Sequence, residues 1–285
     1  MATLIPLVLK ASIILTVFAI GLSNRARDVM HVAHTPRLLV RSLFAINVLM
    51  PLFAALMAAA LDLHPAVRIA LLALAVSPIP PLLPKKAVKS GGDASFAIGL
   101  LVVAALLAVA FVPLSVHVLG VAFGRTAGIS PEAVALILAA NVLAPLCAGL
   151  AVSAFASGFA ARIARPISVT ATVLLLGCAV PIAIKAAPDI LSLIGHGTLA
   201  AILAFNLFGL AAGHLLGGPN PANRAVLALT TSSRHPGIAA AIAALNFPDE
   251  KLAFSAILLY LLVNVILSLL YRRWFRYRYR GAPTR

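Results

Sequence analysis

Nine long apolar runs occupy nearly the whole of this 285-residue chain, near residues 4–22, 38–61, 67–84, 94–119, 131–155, 167–184, 193–216, 223–245 and 252–271. A helix needs about 20 mostly apolar residues to cross the hydrocarbon of a bilayer. In lipid each backbone amide must be satisfied inside its own helix or in a closed barrel, and the alternating pattern of a barrel strand is absent. The runs predict an all-α polytopic membrane protein with about nine transmembrane helices. Composition closes the other routes. Hydrophobic residues make up 62% and charged residues 10%, against about 45–50% and about 25% in soluble domains. That balance excludes soluble enzymes and disordered chains. The first run is long for a signal peptide and lacks its small-residue cleavage site, so it reads as a span.

The charges give an orientation. A net charge of +15 raises nucleic acid as a partner, but the basic residues fall between apolar runs, so no nucleic acid is expected. Nine crossings put the two ends on opposite sides. The connections sharing a side with the C-terminus hold Arg25, Arg27, Arg37, Arg41, Lys85, Lys86, Lys89, Arg162, Arg165 and Arg224. The tail adds Arg272, Arg273, Arg276, Arg278, Arg280 and Arg285. The other side holds only Arg68, Arg125, Lys185 and Lys251. The positive-inside rule then places the C-terminus in the cytoplasm and the N-terminus outside, in the inner (plasma) membrane. The tail, 273–285, mixes aromatic and basic residues as a headgroup-level anchor does. Cys147 and Cys178 lie inside apolar runs and read as small buried residues rather than a disulfide or metal pair.

Two of the nine runs cannot be continuous helices. The third places Pro78, Pro80, Pro81 and Pro84 within seven residues; each proline removes a helix hydrogen bond and clashes with the preceding turn. The eighth carries the polar stretch Thr230, Thr231, Ser232, Ser233, Arg234, His235 and Pro236. Irregular backbone at membrane depth is tolerated only where protein or water surrounds it. Two interrupted spans, five apart and so oppositely oriented, point to inverted repeats with a binding site between them. The repeats would cover about 1–120 and about 130–272 of a single transmembrane domain, 1–285.

With the residues at the span ends sorted into the connections, only Lys10 and Arg234 remain charged within the membrane, and no Asp or Glu does. Lys10 is close enough to the outer end to snorkel. A guanidinium at mid-span costs about 2.5–3.5 kcal/mol on insertion scales, so Arg234 is expected to face a cavity or an anion. His235 is a candidate pH-sensitive group. Asn47, Asn141, Asn206 and Asn264 at mid-span are expected to bridge helices. Gly209, Gly213 and Gly217 mark a face for close helix approach.

The stretch FAIGLSNRARDVMHVAHTPRLLVRSLFAINVLMP resembles the start of bile acid:sodium symporter family members. LLALAVSPIPPLLPKKAVKSGGDASFAIGLL is similar to the family's first crossover region, and LALTTSSRHPGIAAAIAALNF to its second. The likeness holds over most of the chain, in order. It implies a panel domain and a core domain, with two discontinuous helices crossing in the core. Bacterial members have ten helices; the first is expected to be missing here. The resemblance also exposes departures. The family's first crossover carries Gly-Gly-x-x-Ser-Asn, whose Ser and Asn bind sodium; Ile79 and Pro80 stand at the glycines, Leu83 and Pro84 at Ser-Asn. The second crossover carries Glu, then Gln and Asn; Thr230, Arg234 and His235 replace them. The hydroxyl ligands of the next helix fall on Ala97 and Leu101, and the Gln of the family's third helix falls near Ile46, beside Asn47. The resemblance therefore implies no sodium site, with Lys85, Lys86 or Arg234 as fixed cations in the role of the bound ion.

The sequence reading is a sodium-independent secondary transporter of a small organic anion in the lipid bilayer, with no metal or cofactor. Its candidate crossover and substrate residues are Asn47, Ser77, Pro78, Lys85, Lys86, Thr230, Thr231, Ser232, Ser233, Arg234, His235 and Asn264. Lys85 and Lys86 have the alternative of facing the cytoplasm. A proton-linked carrier switched by His235 and a non-transporting receptor of the same fold are the competing readings. An enzyme is not expected, because the Ser and His of the polar stretch have no acid to orient a base.

Overall fold

The computed structural model of the chain describes residues 4–25, 31–122, 128, 130–195 and 197–279. Arg27, Arg125, Arg280 and Arg285, which enter the charge sorting, lie outside them. The described residues form helices and no strand. The helices are α1 (Leu4–Leu22), α2 (Pro36–Ala60), α3 (Pro65–Val76), α4 (Leu83–Val88), α5 (Ala94–Ala122), α6 (131–155), α7 (Ser157–Lys185), α8 (Ala187–Leu193), α9 (Thr198–Leu216), α10 (Pro221–Ser232), α11 (Pro236–Asn246) and α12 (Leu252–Arg278). Six of these, α2, α5, α6, α7, α9 and α12, are long and apolar enough to cross a membrane. The first apolar run forms α1, of which Leu7–Leu22 is a shorter apolar helix, and the third and eighth runs are divided, as α3–α4 and α10–α11.

Proline places both divisions. A residue before proline is pushed out of the helical region into extended backbone. Ser77, before Pro78, sits at φ −72°, ψ 148° and ends α3. His235, before Pro236, sits at φ −77°, ψ 104° and caps α11, its Nδ1 accepting the Ile238 N–H at 3.3 Å. Pro236 then occupies the first turn of α11, where no N–H is needed.

Proline also explains a feature the sequence reading lacks. α2 and α6 each contain one widened π turn, at Ala45–Leu49 and at Ala139–Leu143. The two turns have nearly one sequence, AINVLMPL at 45–52 and AANVLAPL at 139–146. Pro51 and Pro145 have no N–H to give, and their rings clash with the carbonyls of Asn47 and Asn141, four residues back. Widening the preceding turn relieves the clash.

Two packed groups result. In the first, α1 lies against the second half of α6 and against α7. Glycine permits the contact: a Cβ at Gly21 would stand 2.6 Å from the Leu146 carbonyl. In the second, one continuous core joins α2, α3, α4, α5 and α9 to α12, from Val32 to Phe275. Here α9 presents Gly209, Gly213 and Gly217 to the backbone of α10, as expected of that face. Large apolar side chains point outward, among them Phe155, Leu215 and Leu136, which suits lipid and not water. Cys178 is buried but Cys147 is exposed, a departure from its reading as buried. Lys10 is exposed, as a snorkelling side chain is.

Candidate functional site

The two broken helices meet. The His235 N–H donates to the Pro78 carbonyl at 3.0 Å, joining one break directly to the other. Ser77, Thr230, Thr231, Ser232, Ser233, Arg234 and His235 are all buried around this contact. Both α3 and α10 end here, so two helix C-termini direct their partial negative charge at one place.

Two cations answer that charge, each reaching from one break to the other. Arg234, 1% exposed, donates through Nη1 to the Ser77 carbonyl at 3.3 Å and through Nη2 to the Ile46 carbonyl at 2.8 Å. Ile46 lies in the π turn of α2. In the five-residue register of a π turn its carbonyl faces residue 51, a proline without an N–H. The helix geometry thus frees a carbonyl, and the guanidinium takes it. The expectation that Arg234 faces a cavity or an anion is corrected: its described acceptors are main-chain oxygens, and its Nε is buried without a partner.

Lys86 makes the reciprocal contact. Its Nζ donates to Ser233 Oγ at 3.0 Å and to Asn264 Oδ1 at 2.8 Å. Asn264 in turn donates to Asn206 Oδ1 at 2.8 Å and to the Ser232 carbonyl at 2.9 Å. The Tyr260 hydroxyl donates to the same carbonyl at 2.5 Å. The end of α10 is therefore held by α4, α9 and α12 together. The bridging role of Asn206 and Asn264 agrees with the reading of mid-span asparagines. Tyr260 and the Ile46 carbonyl were missed: one is a common core aromatic, the other a main-chain atom.

The remaining candidates separate from this network. Lys85, next to Lys86 on α4, turns away and donates to Ser168 Oγ and Thr172 Oγ1 of α7 at 2.9 and 3.0 Å. The Thr230 and Thr231 hydroxyls donate to Val226 and Leu227 carbonyls in their own helix, and Ser77 Oγ donates to the Leu74 carbonyl. Asn47 is half-buried, and its side chain makes no hydrogen bond among the described residues. Asn141 spends its amide on its own helix, to Ile137, and leaves Oδ1 buried without a partner.

The Lys85 contact ties the second packed group to the first. Replacing it with Met should cost about 0.5–1.5 kcal/mol, the usual worth of such hydrogen bonds. The expected fall in Tm is about 2–4 °C per kcal/mol. In a double-mutant cycle with Ser168→Ala/Thr172→Val, the two changes should overlap rather than add. Full additivity would show that the contact carries no energy.

Four of the positions at which the resemblance implied lost sodium ligands, Ala97, Leu101, Ile46 and Leu83, hold buried apolar side chains. A separate cavity of about 560 Å³ lies between the start of α3 and the ends of α5 and α11. None of the twelve candidate residues lines it; Val76, the last residue of α3, is the nearest in sequence.

Comparison with curated proteins finds no match. A family model described as the sodium bile acid symporter family matches residues 11–193, from α1 through the first broken helix to the end of α8. That span is more than half of the chain and includes Pro78, both π turns and the two lysines described above. A membrane-embedded helical fold with two broken helices in contact, and a match of this extent, lead to one conclusion: the chain belongs to the sodium bile acid symporter family.

Proposed function

We propose that this chain is a secondary transporter of a small organic anion that works without sodium, with Lys86 and Arg234 standing where relatives hold the ion. One observation carries the reading. Each broken helix supplies a cation to the other, Lys86 to Ser233 and Arg234 to the Ser77 carbonyl. A bound sodium ion joins crossover oxygens by its charge; a fixed ammonium and guanidinium do the same without entering or leaving. The crossover then needs no ion gradient to hold together.

On this reading the chain crosses the inner membrane nine times, counting α1 and each broken pair as one crossing. The first packed group is the panel and the second the core, related internally as repeats over about 1–120 and 130–272. The N-terminus lies outside, and the basic tail 273–285 lies in the cytoplasm. Members of the family are transporters, which sets an enzyme aside.

The test is the thermal stability of the purified protein against a panel of organic anions, from short carboxylates to bile salts, in sodium and in choline at equal ionic strength. A ligand that binds only the folded state raises stability by mass action. At least one anion should stabilise the protein equally in both salts, and its uptake into proteoliposomes should be the same in both. Uptake that requires sodium would overturn the reading. Uptake that follows an imposed pH gradient and fails in His235→Gln would instead favour the proton-linked carrier. Binding with no uptake in either salt would favour a receptor.

A further inference from the structure

The cavity at the outer ends of α3, α5 and α11 has a chemistry of its own. Its floor and walls are apolar, built by Ile69, Leu72, Val76 and Ile242. Its polar lining consists of Arg68, Asn246, Asp249 and Glu250. Asn246 is already spent: its amide donates to the Ile242 carbonyl at 2.8 Å, and its Oδ1 accepts the Gly128 N–H at 2.7 Å. Arg68 is not. Its Nε is buried without a partner, and among the described residues its guanidinium makes no ion pair with Asp249 or Glu250, although all three line one space. Opposite charges that share a cavity without pairing leave both signs available to whatever enters.

We propose that this cavity binds a small zwitterion with an apolar body, its anionic group on Arg68 and its cationic group toward Glu250 and Asp249. Charge decides the class. A simple anion drawn to Arg68 meets two carboxylates, and a simple cation drawn to the carboxylates meets the guanidinium. A molecule carrying both charges is attracted at both ends. The volume, about 560 Å³, falls in the usual range of about 300–1,000 Å³ for small-molecule sites. A body with two apolar side chains would cover the Ile69, Leu72 and Ile242 surface. The crossover cations line no part of this cavity, so the inference does not rest on the transport reading.

A dipeptide, Leu-Phe, supplies the required chemistry, and two blocked forms remove one charge each. Thermal stability of the full chain in detergent is measured with Leu-Phe, N-acetyl-Leu-Phe and Leu-Phe amide at millimolar concentration. Leu-Phe should raise Tm by at least 2 °C, and the two blocked forms by less than a third of that. Arg68→Gln and Glu250→Gln should abolish the Leu-Phe shift while leaving the ligand-free Tm near wild type, since neither side chain has a partner to lose among the described residues. If either variant fails to fold, Leu72→Trp, which fills the cavity, should remove the shift instead. Equal shifts from Leu-Phe and N-acetyl-Leu-Phe would overturn the zwitterion and leave an anion site on Arg68. No shift from Leu-Phe, or an undiminished shift in Arg68→Gln or Leu72→Trp, would overturn the site.

Discussion

Replacing Arg234 with Met should abolish transport while leaving the protein nearly as stable as wild type. Two terms oppose each other. Removing a guanidinium from mid-membrane returns about 2.5–3.5 kcal/mol on insertion scales. Stranding the Ser77 and Ile46 carbonyls, its two acceptors, costs about 1–3 kcal/mol each, the penalty of an unmade buried hydrogen bond. The sums are of similar size, and methionine keeps most of the volume. The melting temperature should therefore move by only a few degrees. Function should not survive, because the first break loses the cation that the second supplies to it and only the Lys86 contact is left. Arg234→Ala adds a void of about 100 Å³ at about 24 cal/mol per Å³, or about 2.4 kcal/mol, and its Tm should fall by about 5–10 °C at the usual conversion. Arg234→Lys should be intermediate at best, since a point charge on a flexible stem cannot span two carbonyls as a planar fork does. Uptake by Arg234→Met at the wild-type rate would show that the buried cation is structural only.

The second large effect concerns Gly213. A Cβ there would collide with the Leu227 carbonyl and stand 2.6 Å from the Cα of Ala228. Both are backbone atoms of α10, so no side chain can swing aside; α9 and α10 must separate. Over-packing typically costs about 1–3 kcal/mol, and more when nothing yields. Gly213→Ala should cost at least about 3 kcal/mol on that scale, and Gly213→Val should fail to give a monodisperse protein. Separating the helices also moves Ser232 and Ser233, so residual Gly213→Ala protein should transport poorly. Gly177, on α7, provides the contrast: nothing lies within 4 Å of its added Cβ. Gly177→Ala should be neutral or stabilise by up to about 1 kcal/mol, through helix propensity alone. Melting curves of the two alanine variants decide the matter, and equal Tm values would refute the packing argument.

The crossover also explains why a protein keeps an arginine in so unfavourable a place. α3 and α10 end inside the core, and a helix end there leaves main-chain acceptors that water would otherwise satisfy. Tyr260 and Asn264 serve the Ser232 carbonyl. Arg234 serves Ser77 and, through the π turn, Ile46. Lys86 neutralises the end of α10 from the other side, through Ser233 and Asn264. The same cations that satisfy the broken helices hold the two breaks together.

What the sequence by itself determined is what covalent sterics and solvent dictate over a few residues. Apolar length required helices in lipid. Pro78 set the residue at which α3 stops and Pro236 the residue at which α11 starts, because a proline constrains the backbone directly before it. Gly209, Gly213 and Gly217 marked the close face of α9, because the absence of a Cβ can be read without knowing the partner. Even the π turn at 45–49 was present in the text, as the repeated NVLxPL, although its consequence was not. Tertiary structure decided the pairings. Lys85 and Lys86 are adjacent and chemically identical, yet one ammonium meets Ser168 and Thr172 and the other Ser233 and Asn264. Arg234 found a carbonyl 188 residues away. Arg68, Asp249 and Glu250 came to share a cavity. Such partners depend on how distant segments pack, and a hydrogen bond acts over about 3 Å, so no local pattern encodes which acceptor will be in reach.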